Sequence, residues 1–308
     1  MPPVLIQGGG VIGLSIGWQL ARSGARVTLV DRAVGPSASW VAAGLLTPYS
    51  DEENPLAERG FACYPRFLQE LAEDSGTSIA FEGQGTLLVA RDRRDLAWLD
   101  AIYQRSPSVA QRLSGEEARL LEPLLSPRIP RALLFPTERH INNRALLDAL
   151  QRAFMRCGGG FAADEPPAEC IVEAKGAWSS GTRPVKGQIL TLRAAGPRYI
   201  LRSREVYLAA KADGILRVGA TSEERGFDET VTAGGVLDLL REAWEICPAI
   251  AEAELVEALA AFRPTRCNGQ LEIGKTAPNH FSASGHGRAG ILLAPLTAYK
   301  LREEILCR

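Results

Sequence analysis

Apolar runs and helix-spaced apolar positions follow one another from the start of the chain. The apolar run at 4–7 predicts a buried strand, and the one at 26–31 predicts a second. Between them, the apolar spacing at 11–23 predicts a helix that ends near Gly24. A strand, a helix and a strand of these lengths predict a βαβ unit with two parallel strands.

The remaining chain alternates less regularly between helical and strand patterns. Helices are predicted at 58–74, 92–105, 115–122, 144–156, 233–247 and 250–258, and short strands at 86–90 and 131–135. The segment 35–55 predicts a loop, 185–220 has strand character, and 285–295 is a glycine-rich loop running into a helix that begins near Pro295. The pattern predicts an α/β fold with an α+β part: a Rossmann-like domain interleaved with a domain built on a mixed β-sheet.

Composition and charge narrow the class of protein. With 46% hydrophobic and 23% charged residues in a chain of 308, we expect one large or two modest globular domains. A net charge of -1 gives no reason to expect nucleic acid or an acidic membrane as a partner. The six cysteines show no CxxC pair, which predicts reduced thiols and no metal site. The apolar start lacks a basic leader and breaks at glycines, so we expect no signal peptide, no membrane span and a cytoplasmic location.

The residues between the first strand and the first helix fit the dinucleotide fingerprint. Gly8-x-Gly10-x-x-Gly13 allows a tight turn, a close approach of backbone to a pyrophosphate, and close packing of the helix on the strand. Asp31 ends the second strand, where a carboxylate can accept hydrogen bonds from ribose hydroxyls. The motif predicts a dinucleotide site and does not by itself separate FAD from NAD. Neighbouring candidates are Val11 and Ile12 at the helix start, which offers free N–H groups, and Arg32 beside Asp31.

Stretches far from this motif carry a second pattern. They are "SASWVAAGLL" (37–46), "GTLLVARD" (85–92), "ERHINNRALLDAL" (138–150), "CIVEAKGAWS" (170–179), "PVKGQIL" (184–190), "GILRVGATSEERGFD" (214–228), "AFRP" (261–264) and "GHGRAGILLAP" (285–295). In this order, over nearly the whole chain, they resemble the D-amino acid oxidase family of flavoproteins, and most closely the glycine oxidases of thiamine biosynthesis. The resemblance implies noncovalent FAD as the cofactor. It also implies an FAD-binding domain of 1–46, 136–184 and 270–308 and a substrate domain of 47–135 and 185–269.

The resemblance further implies which residues surround the flavin and the substrate. Small residues at 42–44 let backbone lie against the flat isoalloxazine ring. Arg263 matches the family arginine that grips a substrate carboxylate, Arg288 matches a second active-site arginine, and Tyr207 matches a substrate-side tyrosine. The implied FAD contacts are Gly8, Gly10, Val11, Ile12, Gly13, Asp31, Arg32, Ser39, Ala42, Ala43, Gly44, Leu46, Gly176, Trp178, Gly287, Arg288, Gly290 and Ile291.

The implied reaction is oxidative deamination of glycine or another small amine or D-amino acid, with molecular oxygen as acceptor and hydrogen peroxide as product. The planar fork of an arginine suits a carboxylate, because it bonds both oxygens. The family chemistry needs no dedicated base, since a neutral amine loses hydride from its α-carbon and the imine hydrolyses afterwards. His140, His280 and His286 form neither a triad nor a metal spacing. A homo-oligomer is left open.

The chain departs from the family at several positions. The segment between Cys157 and Cys170 is too short for the family's three-stranded meander. A bulky Lys175 stands in the small turn at 174–179, and the stretch 265–272 differs from the family pattern. Two alternatives to an oxidase therefore stay open: a flavin-dependent dehydrogenase with another electron acceptor, and a degenerate, noncatalytic FAD-binding protein.

Overall fold

The computed structural model describes residues 3–31, 37–51 and 54–307, so that the predicted cofactor contact Arg32 lies outside the described residues. The helices in them are α1 (Val11–Arg22), α2 (Ala38–Val41), α3 (Ala57–Ser75), α4 (Arg93–Arg105), α5 (Gly115–Leu121), α6 (Asn143–Arg156), α7 (Ala233–Ile246) and α8 (Gly290–Leu306). The strands are β1 (Val4–Gln7), β2 (Val27–Val30), β3 (Leu45–Leu46), β4 (Thr86–Ala90), β5 (Gln111–Ser114), β6 (Arg131–Phe135), β7 (Arg139–His140), β8 (Gly160–Ala162), β9 (Cys170–Glu173), β10 (Thr182–Arg193), β11 (Ile200–Arg202), β12 (Tyr207–Ala210), β13 (Ile215–Gly219), β14 (Glu254–Arg266), β15 (Glu272–Ala277) and β16 (His280–Ser284). Short 3₁₀ turns lie at Gly176–Trp178, Pro248–Glu252 and Gly287–Ala289.

The first sheet has the strand order β15-β16-β9-β1-β2-β8. Its central strand β1 pairs in parallel with β2 and β9, so the βαβ prediction is confirmed. β8 and β16 add further parallel strands on the two sides, and β15 is antiparallel to β16. The buried helix α1 packs against α6 and α8, and both of these also contact α3. The carboxyl ends of the parallel strands and the N-terminus of α1 therefore meet at one edge, where such sheets bind ligands.

The second sheet has the strand order β14-β10-β13-β12-β11-β4-β6-β5. Its neighbours are antiparallel except for β11 and β4, which makes it the mixed sheet that the sequence predicts. On one face, Leu190, Leu208 and Val218 belong to the same apolar core as Leu239 of α7. On the other face, α4 packs over β4 and β6. The second face of β14, β10, β13 and β12 is thereby left for the cleft between the sheets.

Helix α3 belongs to the core of the first sheet. Its buried residues Tyr64, Phe67 and Leu71 lie in one apolar cluster with residues of α1, α6 and α8. The range 47–135, which contains α3, is predicted as part of the substrate domain. The interleaving of two sheets is observed, and the domain boundaries stay a prediction.

Two helix predictions near the C-terminus are wrong. The range 250–258 is predicted as a helix, but a 3₁₀ turn ends at Glu252 and β14 follows, because pairing with β10 over its full length overrides the helical propensity of Ala, Leu and Glu. α8 begins at Gly290 and not near Pro295. Pro295 lacks the N–H that would bond the carbonyl of Ile291, and the Tyr64 hydroxyl donates to that carbonyl instead, at 2.6 Å.

The shortened segment between Cys157 and Cys170 forms one strand. β8 pairs with β2 at the edge of the first sheet, and this described segment contains no three-stranded meander. The rest folds back toward the carboxyl end of β1, where the Gln7 amide donates to the Glu165 carboxylate at 2.8 Å. The segment is predicted as a loop without a meander; it has no meander, and the loop prediction is wrong at β8, because the exposed edge of β2 offers backbone hydrogen bonds to it.

Candidate active site

A cleft of about 2000 Å³ lies between the two sheets. It runs from the carboxyl edge of the first sheet to the open face of the second. Of the described residues predicted as contacts, only Gly13 and Leu46 do not line it. Gly13 packs helix against strand, since a Cβ there would lie 1.9 Å from the carbonyl oxygen of Gly8. Leu46 is fully buried in the core below the cleft. These two residues therefore support the wall of the cleft.

The glycine loop forms the first end of the cleft. Gly8 has a φ of 114°, and a Cβ there would lie 2.3 Å from the carbonyl oxygen of Ala174, so only glycine fits. Gly10 is the N-cap of α1 and makes no side-chain cap, while the N–H of Val11 donates to the Ser39 hydroxyl at 3.0 Å. The N-terminus of a helix with little side-chain capping favours an anion. This end of the cleft fits a pyrophosphate.

Asp31 lies beside the same loop. A Cβ on Gly9 would come within 2.6 Å of the Asp31 carboxylate, which shows how closely that carboxylate sits over the loop. Asp31 also lines the cleft at the carboxyl end of β2. An acceptor at this position fits the hydroxyls of a ribose attached to the pyrophosphate.

The middle of the cleft has a wall made of small residues. Ala42, Ala43 and Gly44 line it, and Gly44 has a φ of 71° with no room for a Cβ against the carbonyl oxygen of Ile141. The N–H of Ile141 donates to the carbonyl of Gly44 at 3.0 Å, which ties the segment to the start of α6. Because these residues carry no side chain larger than a methyl group, they form a wall on which a flat aromatic ring can lie.

The small turn after β9 lines the cleft beside the glycine loop. Gly176 lines the cleft with nothing near the place of a Cβ, and Lys175 lines it beside Gly8 with its Nζ 3.9 Å from the Glu173 carboxylate. Trp178 is 52% exposed and stacks on Phe227, with ring centroids 5.1 Å apart. The bulky Lys175 is thus accommodated along the wall, and Trp178 stands at the rim.

Another part of the cleft is a face of four strands. Arg263 on β14 lies over Gly187 of β10, where a Cβ would be 2.6 Å from the guanidinium. Tyr207 on β12 lies over Gly219 of β13, where a Cβ would be 2.5 Å from the hydroxyl. Because β10 and β13 are neighbours between β14 and β12, the two side chains converge over the middle of this face.

Arg263 and Tyr207 are predicted from the sequence, whereas Gly187 and Gly219 are not. The signal that could have found them is a glycine inside a strand, which often marks the close approach of another group. The arginine's N–H also donates to the carbonyl of Thr221 at 3.0 Å. Burial raises the pKa of Tyr207, and the positive charges of Arg263 and Arg288 act against that rise. Tyr207 is therefore a neutral hydrogen-bond donor at ordinary pH.

Arg288 reaches the cleft from the terminal loop. Its guanidinium lies 3.8 Å from the Asp51 carboxylate, which also accepts a hydrogen bond from Arg202 at 2.7 Å. The preceding His286 is buried, its Nε2 lies 3.0 Å from the Thr297 hydroxyl, and burial lowers its pKa to about 4. A neutral His286 therefore supports the loop that carries Arg288.

The remaining features of the site fit a flavin dinucleotide. One cleft is lined by an anion-binding helix end, a ribose acceptor, a flat wall of small residues, and an arginine with a tyrosine. Gly287, Gly290 and Ile291 line the cleft next to Arg288, at the start of α8. The described residues contain no group of side chains that could hold a metal ion. Over the same residues, no helix is long and apolar enough to cross a membrane.

The fold and the cleft define a dinucleotide-binding flavoprotein. Residues 3–304 match the family model described as FAD dependent oxidoreductase. The chain belongs to this family: it is an FAD-dependent oxidoreductase, and FAD is its cofactor.

Comparison with individual proteins sharpens this class. The chain is 31% identical to glycine oxidase of Geobacillus kaustophilus, over 96% of this chain and 90% of the relative. The crystal structure of glycine oxidase from the same organism superposes with a TM-score of 0.91 at 29% identity, covering 100% of this chain and 96% of that one. The chain is also 31% identical to a Rhizobium etli protein assigned to thiamine biosynthesis as the oxidoreductase ThiO, over 98% of this chain and 96% of that one. Iminodiacetate oxidase from Chelativorans sp. BNC1 superposes with a TM-score of 0.90 at 26% identity, covering 99% and 95%.

Proposed function

We propose that the protein oxidises glycine or another small amine or D-amino acid to an imine and reduces molecular oxygen to hydrogen peroxide. The observation that carries this proposal is the convergence of Arg263 and Tyr207 on one strand face of the cleft that the wall of small residues also lines. A carboxylate held there would place the neighbouring α-carbon between the strand face and the flavin position. The relatives named glycine oxidase and iminodiacetate oxidase support the same type of substrate.

Arg263 binds the substrate carboxylate in this proposal. Its guanidinium is partly buried, and Gly187 leaves room for it to lie flat along the strands. A bidentate pair with a carboxylate fixes both the position and the orientation of a small molecule. Such a pair also restricts rotation of the α-carbon, which lowers the entropic part of the barrier.

Tyr207 and Arg288 complete the substrate end. The neutral hydroxyl of Tyr207 donates a hydrogen bond to the substrate carboxylate, and the guanidinium of Arg288 adds a second positive charge near it. Ile189, Val185 and Ala261 line the same face and exclude water around the α-carbon. We assign no general base, because an amine that binds in its neutral form has no proton to lose before oxidation.

The other end of the cleft holds the cofactor. The N–H groups at the start of α1 bind the pyrophosphate, Asp31 accepts from the ribose, and residues 42–44 lie against the ring. FAD bound there supplies the two-electron redox chemistry of the reaction.

The visible spectrum of the purified protein before and after glycine tests the proposal. An oxidase shows a flavin spectrum that bleaches under anaerobic glycine, and it releases peroxide in air. Bleaching without peroxide in air identifies the dehydrogenase alternative. A protein that stays colourless after incubation with FAD identifies the noncatalytic alternative. No bleaching by glycine, sarcosine, D-alanine or iminodiacetate contradicts the proposed substrate class.

The relatives also support a place in thiamine biosynthesis as part of this proposal. The cytoplasmic location, a homo-oligomeric state and the division into domains of 1–46, 136–184 and 270–308 against 47–135 and 185–269 remain predictions. Size-exclusion chromatography with light scattering measures the oligomeric state directly.

A further inference from the structure

A buried lysine stands behind the wall of small residues. Lys211 follows directly after β12 and is 7% exposed. Its Nζ donates to the carbonyl of Ala43 at 2.6 Å and to the carbonyl of Ile141 at 2.7 Å, and it lies 3.0 Å from Nδ1 of His140. The ammonium thus joins two segments, the one at 42–44 and the one that begins α6.

These contacts matter because the wall has almost no side chains of its own. Ala42, Ala43 and Gly44 carry methyl groups at most, so the shape of this segment depends on the ties of its backbone. One tie is the hydrogen bond from the N–H of Ile141 to the carbonyl of Gly44. Another is the hydrogen bond from the N–H of Ala42 to the carbonyl of Ala38. The Lys211 ammonium supplies a third, at the carbonyl of the central residue Ala43.

We propose that Lys211 is a positioning residue for the cofactor: its ammonium holds the Ala42–Gly44 wall in the shape that receives the flavin ring. Lys211 does not line the cleft and acts through the carbonyl of Ala43. The inference rests on the proposed placement of the ring against residues 42–44 and not on the identity of the substrate.

The charges around Lys211 decide how this contact depends on pH. Burial lowers the pKa of Lys211 to about 7; Glu82 and Asp213 act against that shift, and Arg217 reinforces it. Glu82 lies 3.9 Å from Nζ. Burial also lowers the pKa of His140, and the Glu82 carboxylate, 3.2 Å from the same Nδ1, acts against that shift. The neutral ring accepts from Lys211 at Nδ1 in the tautomer with its proton on Nε2.

An ammonium carries three protons, and three acceptors surround this one. Below the pKa of Lys211 its ammonium can donate to all three acceptors. Above that pKa the amine has one proton fewer, and one of the three hydrogen bonds is lost. We therefore expect the wall to be held more firmly in weak acid than in weak base, and FAD to bind more tightly there.

The test compares Lys211→Met, Lys211→Arg and the matched control Lys186→Met. Lys186 is another buried lysine; it pairs with Asp228 and Glu223 and does not line the cleft. Apoprotein is titrated with FAD by flavin fluorescence, ADP is used as a competitor, and the fine structure of the bound flavin's visible band is recorded. Circular dichroism and thermal melting monitor folding in each variant.

Lys211→Met should raise the Kd for FAD by about 10- to 100-fold, since it removes charge-assisted hydrogen bonds. It should also broaden the visible band and leave the Kd for ADP unchanged, because ADP does not reach the wall. Lys211→Arg should recover most of the affinity, and Lys186→Met should retain wild-type affinity. Wild-type Kd for FAD should rise several-fold from about pH 6 to about pH 8.5, and this dependence should vanish in both Lys211 variants.

Wild-type FAD affinity and spectrum in folded Lys211→Met overturn the proposal. So does an equal loss of ADP affinity in Lys211→Met, or an equal loss of FAD affinity in Lys186→Met. If Lys211→Met does not fold, a flat wild-type Kd over the same pH range overturns it. Failure to oxidise glycine changes none of these readouts, so this inference and the proposed function fail separately.

Discussion

The two ends of the cleft both depend on glycine, and they use it at different distances along the chain. At the nucleotide end, Gly8, Gly10 and Gly13 lie within six positions of one another and shape a single strand-to-helix turn. At the substrate end, Gly187 and Gly219 lie on separate strands and make room for side chains that come from two further strands. The first end is a local motif, and the second exists only once the sheet has formed.

The largest expected effect tests the substrate end. Arg263→Ala should lower kcat/KM for glycine by about 30- to 1000-fold, or about 2–4 kcal/mol, because it removes a charge-assisted pair in a partly buried site. FAD content should not change, and amines without a carboxylate should be spared. Arg263→Lys keeps the positive charge but loses the planar, bidentate guanidinium, so its kcat/KM for glycine should lie between those of the wild type and Arg263→Ala. An equal loss on glycine and on a simple amine would show that Arg263 only supports the strand.

The terminal loop that carries Arg288 adds a pH dependence to the same end. His286 has a pKa of about 4 in the folded protein against an ordinary histidine pKa of 6.5, so between these values only the unfolded chain binds the proton. Acid therefore favours unfolding. The contribution of neutral His286 to the free energy of unfolding is fully present above pH 6.5 and is lost as the pH falls to about 4. The loss amounts to about 3 kcal/mol. Urea unfolding of the wild type and of His286→Gln at several pH values measures it, and identical pH profiles would contradict it.

The matching test of the nucleotide end is Asp31→Ala. Loss of a carboxylate that accepts from ribose should weaken FAD binding by about 1.5–3 kcal/mol, or about 10- to 150-fold, without unfolding the protein. The KM for glycine at saturating FAD should stay the same, which separates this end from the substrate end. Fluorescence titration of the apoprotein gives the Kd, and an unchanged value means that Asp31 only terminates β2.

The smallest expected effect tests the strand glycines over which Arg263 and Tyr207 lie. Gly187→Ala places a methyl group against the flexible end of Arg263, so the guanidinium must shift while the strand persists. We expect about a 10-fold loss in kcat/KM for glycine, carried mainly by KM, with normal FAD binding. Gly234→Ala is the control, because nothing lies near its Cβ position. The comparison between the ends fails if the control loses as much activity as Gly187→Ala.

The parts of the molecule that the sequence predicts best are those in which neighbouring residues act together. The βαβ unit, the spacing of the glycines and Asp31 all fall within about thirty residues, and the structure has the unit and brings the loop and Asp31 to the cleft. The distal residues Arg263, Tyr207 and Arg288 were named through a family resemblance, and no local pattern placed them together. Their roles, like that of Asp31, remain proposals.

The sequence by itself determined the class of fold and the dinucleotide motif, because strand and helix periods and the φ requirements of glycine act over short distances. Only the tertiary structure decided that 254–258 belong to a strand, since their helical propensity yields to pairing with β10. It also decided that Gly187 and Gly219 open the substrate face, and that Lys211 reaches the carbonyl of Ala43, 168 positions away. Strand order sets these contacts, and strand order depends on which distant segments bury apolar surface together, which no local pattern specifies.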